Sequence, residues 1–217
     1  MTPASPAPRF LIFDLDGTLV DSLTDLTTAL NLLRADLGLS PLTPTAVRSM
    51  VGDGATRLVQ RGLDAVPYEP RYLQRFLTLY ENHLLDTTRC YQGIVDLLKR
   101  YSPQQLAIVT NKPYDLTVKI LAGLELTPCF AAVVGGDSTP DKKPHPGPLL
   151  AALKLLGAPP SQAVMIGDHH TDLRAARAAG TASCFCAYGF GHRDGLAGDY
   201  QAATTADLLD LFTGNSL

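Results

Sequence analysis

Five short apolar runs, each closed by a polar or glycine-containing turn, constrain this chain most: residues 10–13, 106–109, 131–134, 163–166 and 181–187. They are nearly continuous rather than alternating, the pattern of strands covered on both faces. Helical patterns separate the later ones, at 114–122, 148–156 and 171–179, with Gly157 and Gly180 where helix C-caps belong. Strands alternating with helices predict an α/β fold, a Rossmann-like parallel sheet with helices on both faces.

One stretch breaks the rhythm. Over ninety residues between the first run and Leu106 offer no strand pattern. Leu23, Leu26, Leu30, Leu33 and Leu37 step by three and four, predicting an amphipathic helix stopped by Gly38. Residues 44–63 and 71–85 continue the helical texture, and 93–101 predicts the crossover helix into the second strand. We therefore expect an all-helical insertion at 21–88, with 1–20 and 89–217 forming the core.

Composition excludes several classes. With 18 Lys and Arg against 21 Asp and Glu, a net charge of −3 argues against a nucleic-acid binder working through a basic surface. A hydrophobic content of 46% excludes disorder, and no apolar run approaches the roughly 18–20 residues of a membrane helix. The Pro/Ala-rich start, residues 1–9, lacks a signal-peptide layout and is expected to fray. Cys184 and Cys186 have no second pair at zinc-site spacing and are expected to be buried, reduced thiols. A cytoplasmic protein is expected.

Open α/β sheets bind ligands at the carboxyl ends of their strands. Here those ends carry Asp14-Leu15-Asp16-Gly17-Thr18, Thr110-Asn111-Lys112, Lys142-Lys143-Pro144-His145-Pro146 and Gly167-Asp168 with Asp172. Asp14, Asp16, Asp168 and Asp172 would concentrate negative charge in one crevice. At about 4 Å and an effective dielectric near 20, each like pair costs on the order of 4 kcal/mol. A divalent cation resolves this, and an all-oxygen donor set selects a hard one, with Mg²⁺ the expectation. Lys143 supplies a further positive charge. A phosphate ester fits the set: one carboxylate attacks phosphorus, and a second serves as acid and then base. Thr110 and the Asn111 amide can donate to phosphoryl oxygens, and Gly17 lets the backbone come close.

In these motifs the chain resembles the haloacid dehalogenase superfamily, specifically phosphatases with a helical cap after the first strand. Residues 13–22 (FDLDGTLVDS) resemble its first motif and Val109-Thr110-Asn111-Lys112-Pro113 its second. Lys143-Pro144-His145-Pro146 resembles the third and Gly167-Asp168-His169-His170-Thr171-Asp172 the fourth, over about residues 10–212 in all. The resemblance implies Asp14 as nucleophile and Asp16 as acid/base. It implies Mg²⁺ on the Asp14 carboxylate, the Asp16 carbonyl and Asp168, with Thr110 and Lys143 on the phosphoryl group. Asp172 would support the metal waters or Lys143.

Within that superfamily, Val51-Gly52-Asp53-Gly54-Ala55 with Arg61 resembles the cap loop of bacterial phosphoglycolate phosphatases. Gly52, Asp53 and Gly54 either contact substrate directly or form a turn in which Asp53 caps the next helix. Arg61 is expected to be solvated or salt-bridged. Two departures stand out: Gln92, and the pair His169 and His170, where a small hydroxyl residue usually comes first. The His beside Asp168 is expected to point to solvent.

The resemblance implies a Mg²⁺-dependent phosphatase acting on a small phosphorylated metabolite, 2-phosphoglycolate first, through an aspartyl phosphate. The alternatives are a phosphomutase of the β-phosphoglucomutase kind, or a phosphatase for another sugar phosphate, a nucleotide or pyrophosphate. A retired scaffold need not keep Asp14, Asp16, Lys143 and Asp168 together, and a dehalogenase needs no acid at Asp16.

Overall fold

The computed structural model describes residues 8–64 and 66–213; the tip at residues 1–7 lies outside the described residues. Strands β1 (Phe10–Phe13), β4 (Leu106–Val109), β5 (Ala132–Val134), β6 (Ala163–Gly167), β7 (Ala182–Cys186) and β8 (Tyr200–Ala202) form one sheet in the order β5-β4-β1-β6-β7-β8. Every neighbouring pair is parallel. The earliest strand thus lies between two that follow it by many residues, with Phe13 opposite both Ile108 and Ile166.

Strand residues alternate between two buried layers, which is why the runs read as continuous. Ile12, Ala107, Val109 and Met165 face α7 (Gly147–Leu156) and α8 (His170–Ala179), burying Leu149, Leu153 and Ala176. Leu11, Phe13, Ile108 and Ile166 join the other layer, with residues of α5 (Ile94–Leu98), α6 (Tyr114–Gly123) and α9 (Thr205–Thr213). Gly157 and Gly180 end α7 and α8 in the left-handed conformation, as expected. Cys184 and Cys186 are buried free thiols on β7.

Where the sequence shows no strand pattern, two very short strands occur. β2 (Val20–Asp21) pairs antiparallel with β3 (Arg89–Cys90), too briefly for a hydrophobic period to register. Between them run α1 (Leu23–Asp36), α2 (Pro44–Arg48), α3 (Ala55–Gly62) and α4 (Pro70–Asn82). Leu26, Ala29, Leu30 and Leu33 form the buried stripe of α1, which packs on α4. The expected helix at 44–63 is broken, because Gly52 (φ +118) and Gly54 (φ +88) turn the chain between α2 and α3. The expected crossover helix at 93–101 is shorter, only Ile94–Leu98. β8 adds a sixth strand whose three residues carry no apolar run.

Asp25 in α1 closes this segment onto its own exit. Its buried carboxylate accepts the N–H groups of Thr87 (3.0 and 3.1 Å) and Thr88 (2.8 Å) and both their hydroxyls (2.6 Å each). Burial alone would raise its pKa, but these donors outweigh burial and hold it below the usual carboxylate value.

Candidate active site

The carboxyl ends of β1, β4 and β6 bring Asp14, Thr110 and Asp168 to one crevice. Asp14 continues the β1 ladder, its N–H donating to Ile166 O at 2.9 Å. Its Oδ1 accepts the Leu15 N–H at 2.7 Å and lies 3.1 Å from Lys143 Nζ. The Lys143 ammonium also donates to Val109 O and Asp172 Oδ1, both at 2.6 Å. Carboxylate oxygens of Asp14, Asp168 and Asp172 all lie within 4.8 Å of one another, and all three residues are buried. Asp172 therefore meets Lys143, and its second oxygen accepts the His169 N–H at 3.0 Å.

Asp168 is held from the other side. Thr18 Oγ1 donates to its Oδ1 at 3.2 Å, and the N–H groups of Phe190 and Gly191 donate to Oδ2 at 3.0 and 2.7 Å. Glycine is required beside it: a Cβ on Gly17 (φ +79) would stand 2.0 Å from Asp168 Oδ2.

These acids are electrostatically strained. Burial pushes Asp14 up to about 6 against the opposing pull of Lys143, with Asp172 adding to the rise. Burial, then Asp14 and Asp172, raises Asp168 well above the usual carboxylate value. One ammonium does not balance three carboxylates.

Asp16 stands in a separate arrangement that the sequence did not reveal. Lys112 Nζ donates to both its oxygens, at 2.8 and 2.9 Å, and Ser22 Oγ donates at 2.5 Å. Lys112 also reaches Tyr80 Oη of α4 at 2.7 Å. Burial would lower the Lys112 ammonium, but Asp16 and Tyr80 outweigh it and leave it raised. Burial pushes the Tyr80 hydroxyl up to about 12. Lys112 and Ser22 lie inside the quoted motifs, and the surplus of acids over Lys143 was the signal for a second cation.

The 51–55 loop lies directly over these groups. A Cβ on Gly52 would strike the His169 ring at 2.6 Å, and one on Gly54 would meet Asn111 O at 3.2 Å. The side-chain amide of Asn111 donates to Gly52 O (3.0 Å) and Lys143 O (2.9 Å), so it ties this loop to the core rather than standing free. Asp53 does not cap α3, whose N-cap is Gly54 without a side-chain bond. Its carboxylate instead accepts Arg61 Nη2 at 2.5 Å. On α2, the Arg48 guanidinium donates to Gly189 O and Phe190 O at 2.6 and 3.2 Å.

The expectation for the first histidine fails. His169 is 1% exposed, not solvated. It is the N-cap of α8, with Nδ1 at 3.1 Å from Thr171 Oγ1, and Gly52 packs on its ring. Burial, then His170, pushes its pKa down to about 4.

Around this centre a pocket opens toward the helices between β2 and β3. Asp14, Asp16, Thr110 and Asp168 line its floor, while Leu26, Val51, Leu58, Phe76, Leu77 and Leu116 line its walls.

Residues 11–186 match the family of haloacid dehalogenase-like hydrolases. A phosphoglycolate phosphatase of Chromobacterium violaceum is 41% identical over 213 residues, covering 94% of this chain and 96% of the relative. Another, of Pseudomonas syringae pv. tomato, is 36% identical over 97% of this chain and 81% of its own length. The crystal structure of a predicted phosphoglycolate phosphatase from Haemophilus somnus 129pt superposes with a TM-score of 0.84 at 30% identity, covering 94% of this chain and 97% of that one. With carboxylates gathered at the carboxyl ends of its parallel strands and a matching fold, the chain belongs to the haloacid dehalogenase-like hydrolases.

Proposed function

We propose that this hydrolase is a Mg²⁺-dependent phosphatase of small phosphate monoesters, with 2-phosphoglycolate as substrate and glycolate and phosphate as products. The observation that carries the proposal is the buried cluster of Asp14, Asp168 and Asp172, with one ammonium, Lys143, held by Asp14 and Asp172. Names of the relatives at 41% and 36% identity support the choice of substrate.

The donor set fits a hard divalent cation: it is all oxygen, it is buried, and its negative charge exceeds its positive charge. Asp14, Asp168 and the Asp16 carbonyl would hold Mg²⁺, which when bound neutralises charge on the phosphoryl oxygens. The division into a core (1–20 and 89–217) and a cap (21–88) belongs to the same proposal, the cap admitting substrate and excluding water.

In this scheme Asp14 is the nucleophile. Leu15 N–H and Lys143 fix the orientation of its carboxylate. An Asp14 oxygen bonds to phosphorus as the ester P–O bond breaks, and Asp16 gives its proton to the departing alkoxide. Asp16 then takes a proton from the water that hydrolyses the aspartyl phosphate, releasing inorganic phosphate and restoring Asp14. Lys143, the Thr110 hydroxyl and the backbone N–H of Asn111 hold the phosphoryl oxygens, and Gly17 leaves room for the group. Asp172 positions Lys143.

The apolar walls favour a second reading, a phosphomonoester with a larger and less charged body than glycolate. Phosphate release from 2-phosphoglycolate, sugar phosphates, nucleotides and pyrophosphate, with Mg²⁺ and no acceptor, decides. The highest kcat/KM is expected for 2-phosphoglycolate. Preference for a bulkier ester supports the second reading, and turnover only with a bisphosphate activator, without phosphate release, means a mutase instead.

A further inference from the structure

We propose that His169, His170 and His192 form a second metal site, built for a nitrogen-preferring divalent ion of the Zn²⁺ class and separate from the carboxylate cluster. One ring nitrogen from each of the three lies within 4.8 Å of the others. Ring centroids are 4.1 Å apart for His169 and His170, 4.7 Å for His169 and His192, and 5.1 Å for His170 and His192.

Two of these rings carry an unmet demand. His169 Nε2 and His170 Nδ1 are buried and have no hydrogen-bond partner. Buried polar atoms in folded proteins are almost always paired, so two orphans in adjacent rings call for a ligand. On His169, Nδ1 lies 3.1 Å from the Thr171 hydroxyl and at a long 3.5 Å from the Thr171 N–H. With the Nδ1 proton donated to the hydroxyl, the outer contact typical of a metal-binding imidazole, Nε2 is left as the metal donor.

The backbone supports the same grouping. His169 and His170 open α8, while His192 lies in the loop after β7. The His170 N–H donates to His192 O at 2.7 Å, so the third histidine is fixed beside the first two. Three imidazoles without thiolate are a donor set for Zn²⁺, Co²⁺, Ni²⁺ or Cu²⁺, whereas Mg²⁺ takes oxygen. The two ions would therefore sort between neighbouring sites by donor chemistry.

Position gives the site its consequence. The loop ending at His192 carries the Phe190 and Gly191 N–H groups that donate to Asp168, and Gly52 packs on the His169 ring. An ion bridging His192 to the start of α8 would pin that loop, and with it the two donors on Asp168.

The test uses the full chain, stripped of metal and then saturated with Mg²⁺, titrated with Co²⁺ and followed by visible absorption. Equilibrium dialysis against Zn²⁺ gives the stoichiometry. One equivalent is expected, with the intense absorption of tetrahedral nitrogen-bound Co²⁺. His192→Ala and His170→Ala are each expected to weaken binding more than about tenfold, the least that loss of even an outer contact costs, while keeping Mg²⁺-dependent turnover. Asp14→Asn should bind Co²⁺ as the parent does. Absence of binding in the parent overturns the proposal. So does binding that survives both histidine variants, or that disappears in Asp14→Asn, since the ion would then sit on the carboxylates. Circular dichroism confirms that each variant is folded, and His192→Gln, at an exposed position, is the second probe if His170→Ala is not.

Discussion

Lys112 holds Asp16 by both carboxylate oxygens, at 2.8 and 2.9 Å, across 96 residues of sequence. The pair is nearly dry, with side-chain exposures of 4% and 14%. Removing one member of a buried pair leaves the other charge uncompensated, which costs about 3–5 kcal/mol. Lys112→Met is therefore expected to lower the melting temperature and to reduce kcat, because Asp16 loses the group that positions it. Unchanged melting and turnover would show the pair to be idle.

Asp14→Asn should abolish phosphate release while leaving the fold intact. It should also change the pH dependence of stability in the metal-free protein. Unfolded Asp releases its proton at about 3.9, whereas folded Asp14 keeps it to about 6. Between those values the folded state binds more protons, so Asp14 makes stability fall as pH rises through that window. The Asn variant lacks that contribution, and Lys143 retains Asp172 as partner. Denaturant melts of parent and variant at pH 4 and pH 7 measure it: the variant should gain relative stability at the higher pH.

Chelation is expected to stop turnover, and Mg²⁺ to restore it. Because the ion binds the folded chain, it should also stabilise it, by about 2.7 kcal/mol at a hundredfold excess over Kd. A thermal melt with and without Mg²⁺ reads this directly, and Asp168→Asn should lose most of the shift.

Gly17→Ala is expected to cost both stability and activity. Its backbone is at φ +79, and the new Cβ would enter the Asp168 carboxylate. A variant that melts and turns over like the parent would contradict the close approach.

Asp25→Asn tests the closure of the helical segment. Hydrogen bonds to a charged acceptor contribute about 1.5–3 kcal/mol, so a loss in that range is expected at neutral pH. The folded pKa of Asp25 is depressed. Its contribution is thus full above the unfolded value and disappears as pH falls through the folded one. Parent and variant should converge in stability in acid.

The sheet was legible because strands buried on both faces leave unbroken apolar runs, and Phe10–Phe13 and Leu106–Val109 match their runs to the residue. The short pairing of Val20–Asp21 with Arg89–Cys90 was not, since two residues cannot display a period. Asp14, Lys143 and Asp168 were legible as strand-end charges that topology must gather. The partnership of Asp16 with Lys112 and Tyr80 depends on how α4 lies over the core, which no local pattern encodes. His169 was misjudged for a related reason: it is Gly52, 117 positions earlier, that covers its ring.

The central place of β1 has a consequence for the chain as it is synthesised. The nucleophile proposed here is made before either flank of its strand, since β1 has no sheet neighbour until β4 emerges and its second flank waits for β6. Lys143 and Asp168 come later than the whole helical segment. A nascent chain that stops between Lys143 and Asp168 would carry Asp14 and its ammonium partner without the other two carboxylates of the cluster, so the site is complete only once Asp172 has been made.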